Sequence, residues 1–139
     1  MMILATIIRI IHWFIISFVI LSPFSKLAPI LILNITGAWC LLLHWAANND
    51  VCFLTLMEAK LRGMTDYKQG FLHQFISPIY NISDKRMNQI AHGVVIASML
   101  FSIYNLLEHP SYEKARQCSK NGGSFIDCLM ILFEQEKDL

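Results

Sequence analysis

Three side chains, His44, His92 and Cys52, have types and positions that could support chemistry. A neutral imidazole can ligate haem iron or another metal ion, and His44 and His92 would lie towards the same end of two neighbouring helices. Cys52 follows the turn-forming pair Asn49-Asp50 and could begin a new helix, where the helix dipole favours an anionic sulfur. These residues therefore suggest two alternatives, a haem or metal site on the histidines and a reactive thiol at Cys52.

The rest of the sequence argues against catalysis. It contains no HExxH or CxxCH motif, no glycine-rich phosphate loop and no GxSxG nucleophile elbow. Lone histidines at the ends of apolar helices are common, and the acidic residues fall in loops and in the tail, where charge is ordinarily solvated. We therefore expect no catalytic residue, no cofactor, no metal ion and no enzymatic activity.

The elements that must position these side chains are three long apolar stretches, residues 1–22, 27–47 and 90–107. Each is close to the roughly 20 residues that a helix needs to cross a hydrocarbon core about 30 Å thick. The chain is 55% hydrophobic and 15% charged, with a mean hydropathy of +0.50, and a soluble domain of 139 residues could not hide so much apolar surface. The sequence predicts an all-α, multi-pass integral membrane protein with a bundle of three transmembrane helices.

The net charge and the first apolar stretch further restrict the class of protein that the sequence can encode. A net charge of +1 gives no electrostatic reason to expect a nucleic-acid partner. The first stretch has no basic leader, carries Arg9 inside it and lacks a small-x-small cleavage site, so we expect a retained span rather than a signal peptide. Six basic residues fall on one side of the predicted topology and five on the other, so the positive-inside rule selects neither orientation nor membrane.

The predicted layout is a transmembrane domain over residues 1–109, with an interfacial loop at 50–88, and a helical C-terminal tail over 110–139. Pro23 should end the first span, and Pro29 suits the first turn of the second. Ser83 could cap the third span. In the tail, a turn at residues 121–123 should precede a short helix that Ser124 caps and that ends near residue 137.

A polar seam marks the second span. Asn34, His44 and Asn48 fall on one stripe with Gly37 and Leu41, and Cys52 and Thr55 would join it if the helix continued unbroken. Polar groups in hydrocarbon need partners, which we expect on the first span (Arg9, His12) and on the third (His92, Ser98, Ser102, Asn105). Gly93 and Ala97 form a small-xxx-small pair that permits close helix approach.

The seam and the surface motif that follows it comprise Arg9, His12, Asn34, His44, Asn48, Asp50, Cys52, Thr55 and Glu58. Interhelical hydrogen bonding is one interpretation of the seam, and a polar pocket or relay is the other.

The other three cysteines are expected to have structural roles and not to act as reactive thiols. Cys40 lies in the middle of the second span and is expected to pack. Cys118 and Cys128 flank the predicted tail turn, and a helical hairpin could join them as a disulfide if the tail faces an oxidising compartment. Asn81-Ile82-Ser83 is a glycosylation sequon on the opposite side of the membrane, so the disulfide and the glycan cannot both form.

Residues 44–63, HWAANNDVCFLTLMEAKLRG, resemble a family of small bacterial inner-membrane proteins known only as a domain of unknown function. In that family a span ends in a Cys-Pro-Leu-Thr-x-x-Glu-like segment, and a Gly-x-Phe-Ile-like segment and a final span follow. Here residues 52–58 occupy the first position, with Phe53 in place of the proline, and residues 70–76 and Tyr80 occupy the second. The resemblance covers residues 5–108, implies a three-span fold and brings no established activity. The pattern is also similar to uncharacterised membrane proteins of large DNA viruses.

The sequence thus favours a non-enzymatic structural or assembly subunit that packs in the bilayer against other membrane proteins or copies of itself. The viral similarity implies a membrane beneath a capsid and capsid-type partners. The competing class is a redox or cofactor-binding membrane protein that uses His44 and His92 as ligands or Cys52 as a thiol. A component of a small transporter or channel is a third class, and three spans would then have to oligomerise to enclose a path.

Overall fold

The computed structural model describes residues 2–63 and 83–134, and within these ranges the chain forms helices and turns with no strand. The helices are α1 (Met2–Leu21), a 3-10 turn (Ser22–Phe24), α2 (Ala28–Ala47), α3 (Phe53–Leu61), α4 (Asp84–Leu107), α5 (Pro110–Lys120) and α6 (Phe125–Glu134). The prediction of an all-α fold is confirmed for these residues. Residues 64–82 of the predicted interfacial loop, which include the sequon at Asn81, and the predicted end of the last helix near residue 137 lie outside the described residues.

Three of the helices are long and apolar enough to cross a membrane: Ile3–Phe24, Ala28–Ala47 and Lys85–Leu107. Only 17–22% of each apolar window is buried within the chain, so most of this surface would face water if no other apolar phase covered it. This exposure is what a multi-pass membrane protein presents to lipid. The third long helix, α4, begins at Asp84, six residues before the apolar core predicted at residue 90. The apolar pattern did not reveal these six residues because most of them are polar or charged.

The first two long helices form the predicted antiparallel hairpin. Pro23 lies in the 3-10 turn that follows α1, and Leu27 is the N-cap of α2 with Pro29 just inside it. Proline at this position lacks only an N–H that the helix start would leave unbonded. At its other end α2 stops because Asn49 and Asp50 take left-handed backbone angles, with φ of 51° and 63°. Asn and Asp tolerate this region better than other residues with a side chain.

The three long helices share a narrow apolar core. Val19 of α1, Ala38 of α2 and Val95 of α4 are buried against one another, with Trp45 and Met99 packed beside them. The most extensive helix contact joins α2 and α4, while α3 packs along α1. Small side chains at the centre let the helix backbones approach, and this close contact drives helix association in a membrane, where burial from water contributes little.

The tail folds as a helical hairpin. The chain turns at Asn121 and Gly122, where Gly122 has φ of +79°, and α6 then packs against α5. Cys118 and Cys128 form a disulfide across this hairpin with their Cα atoms 5.5 Å apart. Asn105 and His109 bond the carbonyls of Pro23 and Lys26, so the tail lies at the end of the bundle where α2 starts, opposite to Cys52.

Candidate functional site

The polar seam begins with a hydrogen-bonded contact between α2 and α4. The side-chain amide of Asn34, fully buried, donates to the hydroxyls of Ser98 and Ser102 at 3.0 and 2.7 Å. Ser98 in turn donates to the carbonyl of Val19 on α1 at 2.6 Å. The Asn34 amide therefore joins α2 to α4, and Ser98 extends the contact to α1. The amide N–H groups are bonded, as buried donors in an apolar medium require, whereas Asn34 Oδ1 has no hydrogen-bond partner among the described residues.

A second group of polar side chains lies between α1 and α3, and we refer to it as the α1–α3 cluster: Arg9, His12, Cys52, Thr55, Glu58 and Arg62. Glu58 is at its centre, with a side chain only 4% exposed. Its Oε1 accepts from Arg9 Nε at 2.8 Å and from Arg62 Nε at 2.9 Å, while Arg9 Nη2 lies 2.6 Å away. Two guanidinium groups thus offset the cost of burying one carboxylate.

The other end of the α1–α3 cluster pairs a thiol with an imidazole. Cys52 Sγ lies 3.4 Å from His12 Nε2, and Cys52 is the N-cap residue of α3. Cys52 is partly exposed, whereas His12 is buried. One turn further along α3, Thr55 is 3% exposed and its Oγ1 has no hydrogen-bond partner among the described residues. The arrangement combines a nucleophile, a base and a buried hydroxyl.

His44 has a local structural contact instead of an open coordination position. Its Nε2 accepts the backbone N–H of Phe53, the first residue of α3, at 3.1 Å. Its Nδ1 lies 3.2 Å from Asn48 Nδ2, and that amide also donates to the His44 carbonyl at 2.9 Å. His44 therefore caps α3 from the last turn of α2 and fixes the connection between the two helices.

His92 lies at the same end of the bundle as His44, as the sequence predicted, and it is also bonded within the chain. Its Nδ1 lies 2.8 Å from the Asn88 carbonyl, its ring packs on Trp45 with centroids 4.6 Å apart, and its Nε2 is 3.4 Å from Asp50. An open cleft of about 690 Å³ adjoins it, lined by Asp50, Lys85, Asn88, Gln89, His92, Gly93 and Ile96. Within residues 2–63 and 83–134, no group of three or more His, Cys, Asp or Glu side chains could hold a metal ion.

The structure divides the predicted stripe because α2 ends at Ala47. Asn34 contacts α4, His44 and Asn48 hold the turn, and Cys52 and Thr55 face α1 from a separate helix. The condition under which Cys52 and Thr55 would join the seam, an unbroken helix, is not met, because the left-handed Asn49 and Asp50 redirect the chain.

Two packing expectations also fail. Gly93 and Ala97 are exposed, and no described residue lies within 4 Å of a Cβ placed on Gly93, so this pair does not mediate helix packing within the chain. Cys40 is exposed on the surface of α2 instead of packed within the bundle.

Sequence analysis missed His109 as a positioning residue. Its Nδ1 accepts the N–H of Ser111 at 3.2 Å, which caps α5, and its Nε2 lies 3.0 Å from the Lys26 carbonyl. The available signal was the His109-Pro110 pair directly after the third span, because proline favours the first turn of a new helix.

Comparisons with known proteins found no matching family model, no matching curated protein and no matching solved structure.

Proposed function

We propose that this chain is a multi-pass membrane protein that acts as a non-enzymatic structural or assembly subunit. Its three long helices would lie in the bilayer, and its polar side chains would hold α1, α3 and α4 in one fixed arrangement around α2. The partners would be other membrane proteins or further copies of the chain. A viral inner membrane beneath a capsid is one setting that the sequence resemblance suggests.

The observation that carries this proposal is that the candidate ligands are used within the chain. His44 Nε2 accepts the Phe53 N–H, and His92 Nδ1 bonds the Asn88 carbonyl. Releasing the His44 contact to bind a metal would remove the cap at the start of α3, which costs about 1 kcal/mol. The geometry therefore favours a positioning role over a ligating role for His44, while the Asn88 carbonyl holds the His92 ring in place.

The outward surface supports a role in assembly. Large apolar side chains project from all three long helices, among them Phe14, Trp39 and Phe101, which are 74%, 56% and 41% exposed. Gly93 and Ala97 also lie on the exposed surface of α4, where they are accessible to a helix from outside the chain. Lipid covers such a surface, and a neighbouring helix can replace that lipid at little cost because lipid and side chains are equally apolar.

A spectroscopic and folding comparison of two variants tests this proposal. The full chain, His44→Ala and His92→Ala would be purified in mild detergent and compared by visible absorption, metal analysis and yield of folded protein. We expect no haem spectrum or stoichiometric metal in any of them, and a lower folded yield for His44→Ala. A chromophore or metal that copurifies with the full chain and is lost from either variant would instead assign the protein to the redox or cofactor-binding class.

A further inference from the structure

We infer that Cys52 is a covalent S-acylation site, at which the thiol takes a long-chain acyl group from an acyl thioester with His12 as the base. This goes beyond a structural role, because it makes one residue of the α1–α3 cluster a nucleophile. The inference rests on three features of the chain: the Cys52–His12 pair, the polar groups beside it, and its place relative to lipid and to the disulfide.

The pair has the geometry that nucleophilic acyl transfer needs. Cys52 Sγ and His12 Nε2 are 3.4 Å apart, a distance across which a thiol proton can pass to an imidazole. Cys52 is partly exposed, so an electrophile can reach the sulfur, whereas His12 is buried behind it. Cys40, the other free cysteine, is exposed on α2 and has no hydrogen bond to a histidine among the described residues, so it is not activated in the same way.

The start of α3 carries hydrogen-bond donors that follow Cys52 closely in the chain. Cys52 is the N-cap of α3, and the first N–H groups of a helix have no partner within that helix. The N–H of Phe53 is taken by His44, so the donors that remain at the start of α3 are the next backbone N–H groups and the Thr55 hydroxyl, which is buried and has no partner among the described residues. Backbone N–H groups and a hydroxyl together can stabilise the oxyanion of a tetrahedral intermediate.

The surroundings select a lipid-like acyl donor. Cys52 lies just beyond the end of α2, and Phe53 and Met57 beside it on α3 are 55% and 37% exposed. An acyl chain on the sulfur could pack against these side chains and enter the bilayer. The Cys118–Cys128 disulfide lies at the opposite end of the bundle, so an oxidising environment there leaves Cys52 on the reducing side. Juxtamembrane cysteines are the usual positions of S-acylation.

The reaction is balanced without a redox step. His12 Nε2 accepts the proton of the Cys52 thiol, and the sulfur attacks the carbonyl carbon of the donor thioester. The tetrahedral intermediate collapses by breaking the carbon–sulfur bond to the donor, and the leaving thiolate takes the proton from His12. The products are a thioester at Cys52 and the free thiol of the donor.

The test measures transfer from alkyne-tagged palmitoyl coenzyme A to the purified full chain in detergent micelles. The chain should acquire a label that hydroxylamine removes, and Cys52→Ser should lose it. Cys40→Ser is the matched control, because it removes the other free thiol, and it should label like the unmodified chain. His12→Gln should lower the initial rate about 100-fold, the contribution typical of a general base. Size-exclusion profiles and helical content, compared across all four proteins, report whether each variant is folded.

Three results would overturn the inference: no hydroxylamine-sensitive label on the folded full chain, label that persists in Cys52→Ser, or an unchanged rate in folded His12→Gln. If His12→Gln does not fold, His12→Asn replaces it, because the shorter amide keeps polarity but cannot accept the proton. Failure of this experiment leaves the proposed assembly role intact, since that role needs no covalent modification.

Discussion

Glu58 on α3 and Arg9 on α1 form an ion pair in which one carboxylate oxygen accepts from the Nε of the guanidinium at 2.8 Å. The carboxylate is almost entirely buried, whereas Arg9 remains about one-third exposed. A charge on a helix that crosses a membrane needs a partner, and here the partner comes from a short helix outside the three spans. The pair therefore explains why α3 lies against α1.

Replacing Glu58 should loosen this contact. Glu58→Gln leaves Arg9 and Arg62 around a neutral amide, and removing one partner of a buried ion pair is strongly destabilising. Because both arginines are partly exposed, we expect a smaller loss of about 2 kcal/mol in the free energy of unfolding. Unfolding in mixed detergent micelles measures it. The control is Glu113→Gln, which breaks the exposed pair with Arg116 and should change stability by less than about 0.5 kcal/mol. Equal losses in the two variants would show that burial of Glu58 has no energetic consequence.

Asn34 should contribute stability through its bonds to α4. Asn34→Ala removes the donors to Ser98 and Ser102, and we expect a loss of about 1 kcal/mol, since interhelical hydrogen bonds in membranes contribute about 0.6 kcal/mol each. A double-mutant cycle with Ser102→Ala isolates the coupling between the two side chains. Leu33→Ala, on the neighbouring residue that is 59% exposed, is the matched control and should have little effect. A coupling energy near zero would contradict the hydrogen-bonded arrangement.

His44 should act as a cap and not as a ligand. His44→Ala frees the Phe53 N–H, so amide exchange should accelerate at the start of α3 by the equivalent of about 1 kcal/mol. His109→Ala provides the comparison, because His109 caps α5 and its loss should accelerate exchange there instead. Hydrogen exchange with mass spectrometry resolves the two helices. Unchanged exchange at α3 in His44→Ala would show that the cap is not formed.

The disulfide predicts which ends of the helices share a compartment. Cys118 and Cys128 should react with a membrane-impermeant maleimide on intact cells only after reduction, whereas Cys52 should react only after the membrane is permeabilised. Two variants that lack Cys40 separate the signals: one keeps only Cys52, and the other keeps only the Cys118–Cys128 pair. Labelling of Cys52 from outside intact cells would reverse the orientation.

The sequence predicted the helices well because apolar length and turn residues act locally. Pro23, Pro29 and the Asn-Asp pair at 49–50 mark the ends of α1 and α2 without reference to the rest of the chain. The contact of Asn34 with α4 could also be anticipated, since a buried amide in hydrocarbon requires partners and few were available.

The position of α3 was not predictable from the same signals. A helix of nine residues is too short for its apolar pattern to show which helix it packs against. The Arg9–Glu58 pair, which sets that contact, joins residues 49 positions apart in the sequence. The sequence analysis therefore treated Arg9 as a partner of the α2 seam. Helix periodicity would place Cys52 and Thr55 on the α2 stripe only in an unbroken helix, and the left-handed Asn49 and Asp50 end that helix first. The disulfide was conditional on an oxidising compartment, because the distribution of basic residues did not select an orientation.

The most direct test of the assembly role is native mass spectrometry of the full chain, extracted gently in detergent from its own membrane. We predict the mass of the polypeptide, with or without an acyl group, alone, in multiples or together with other polypeptides. An added mass that matches haem, a metal ion or a quinone would contradict a structural subunit and would make His44 and His92 the first residues to examine as ligands.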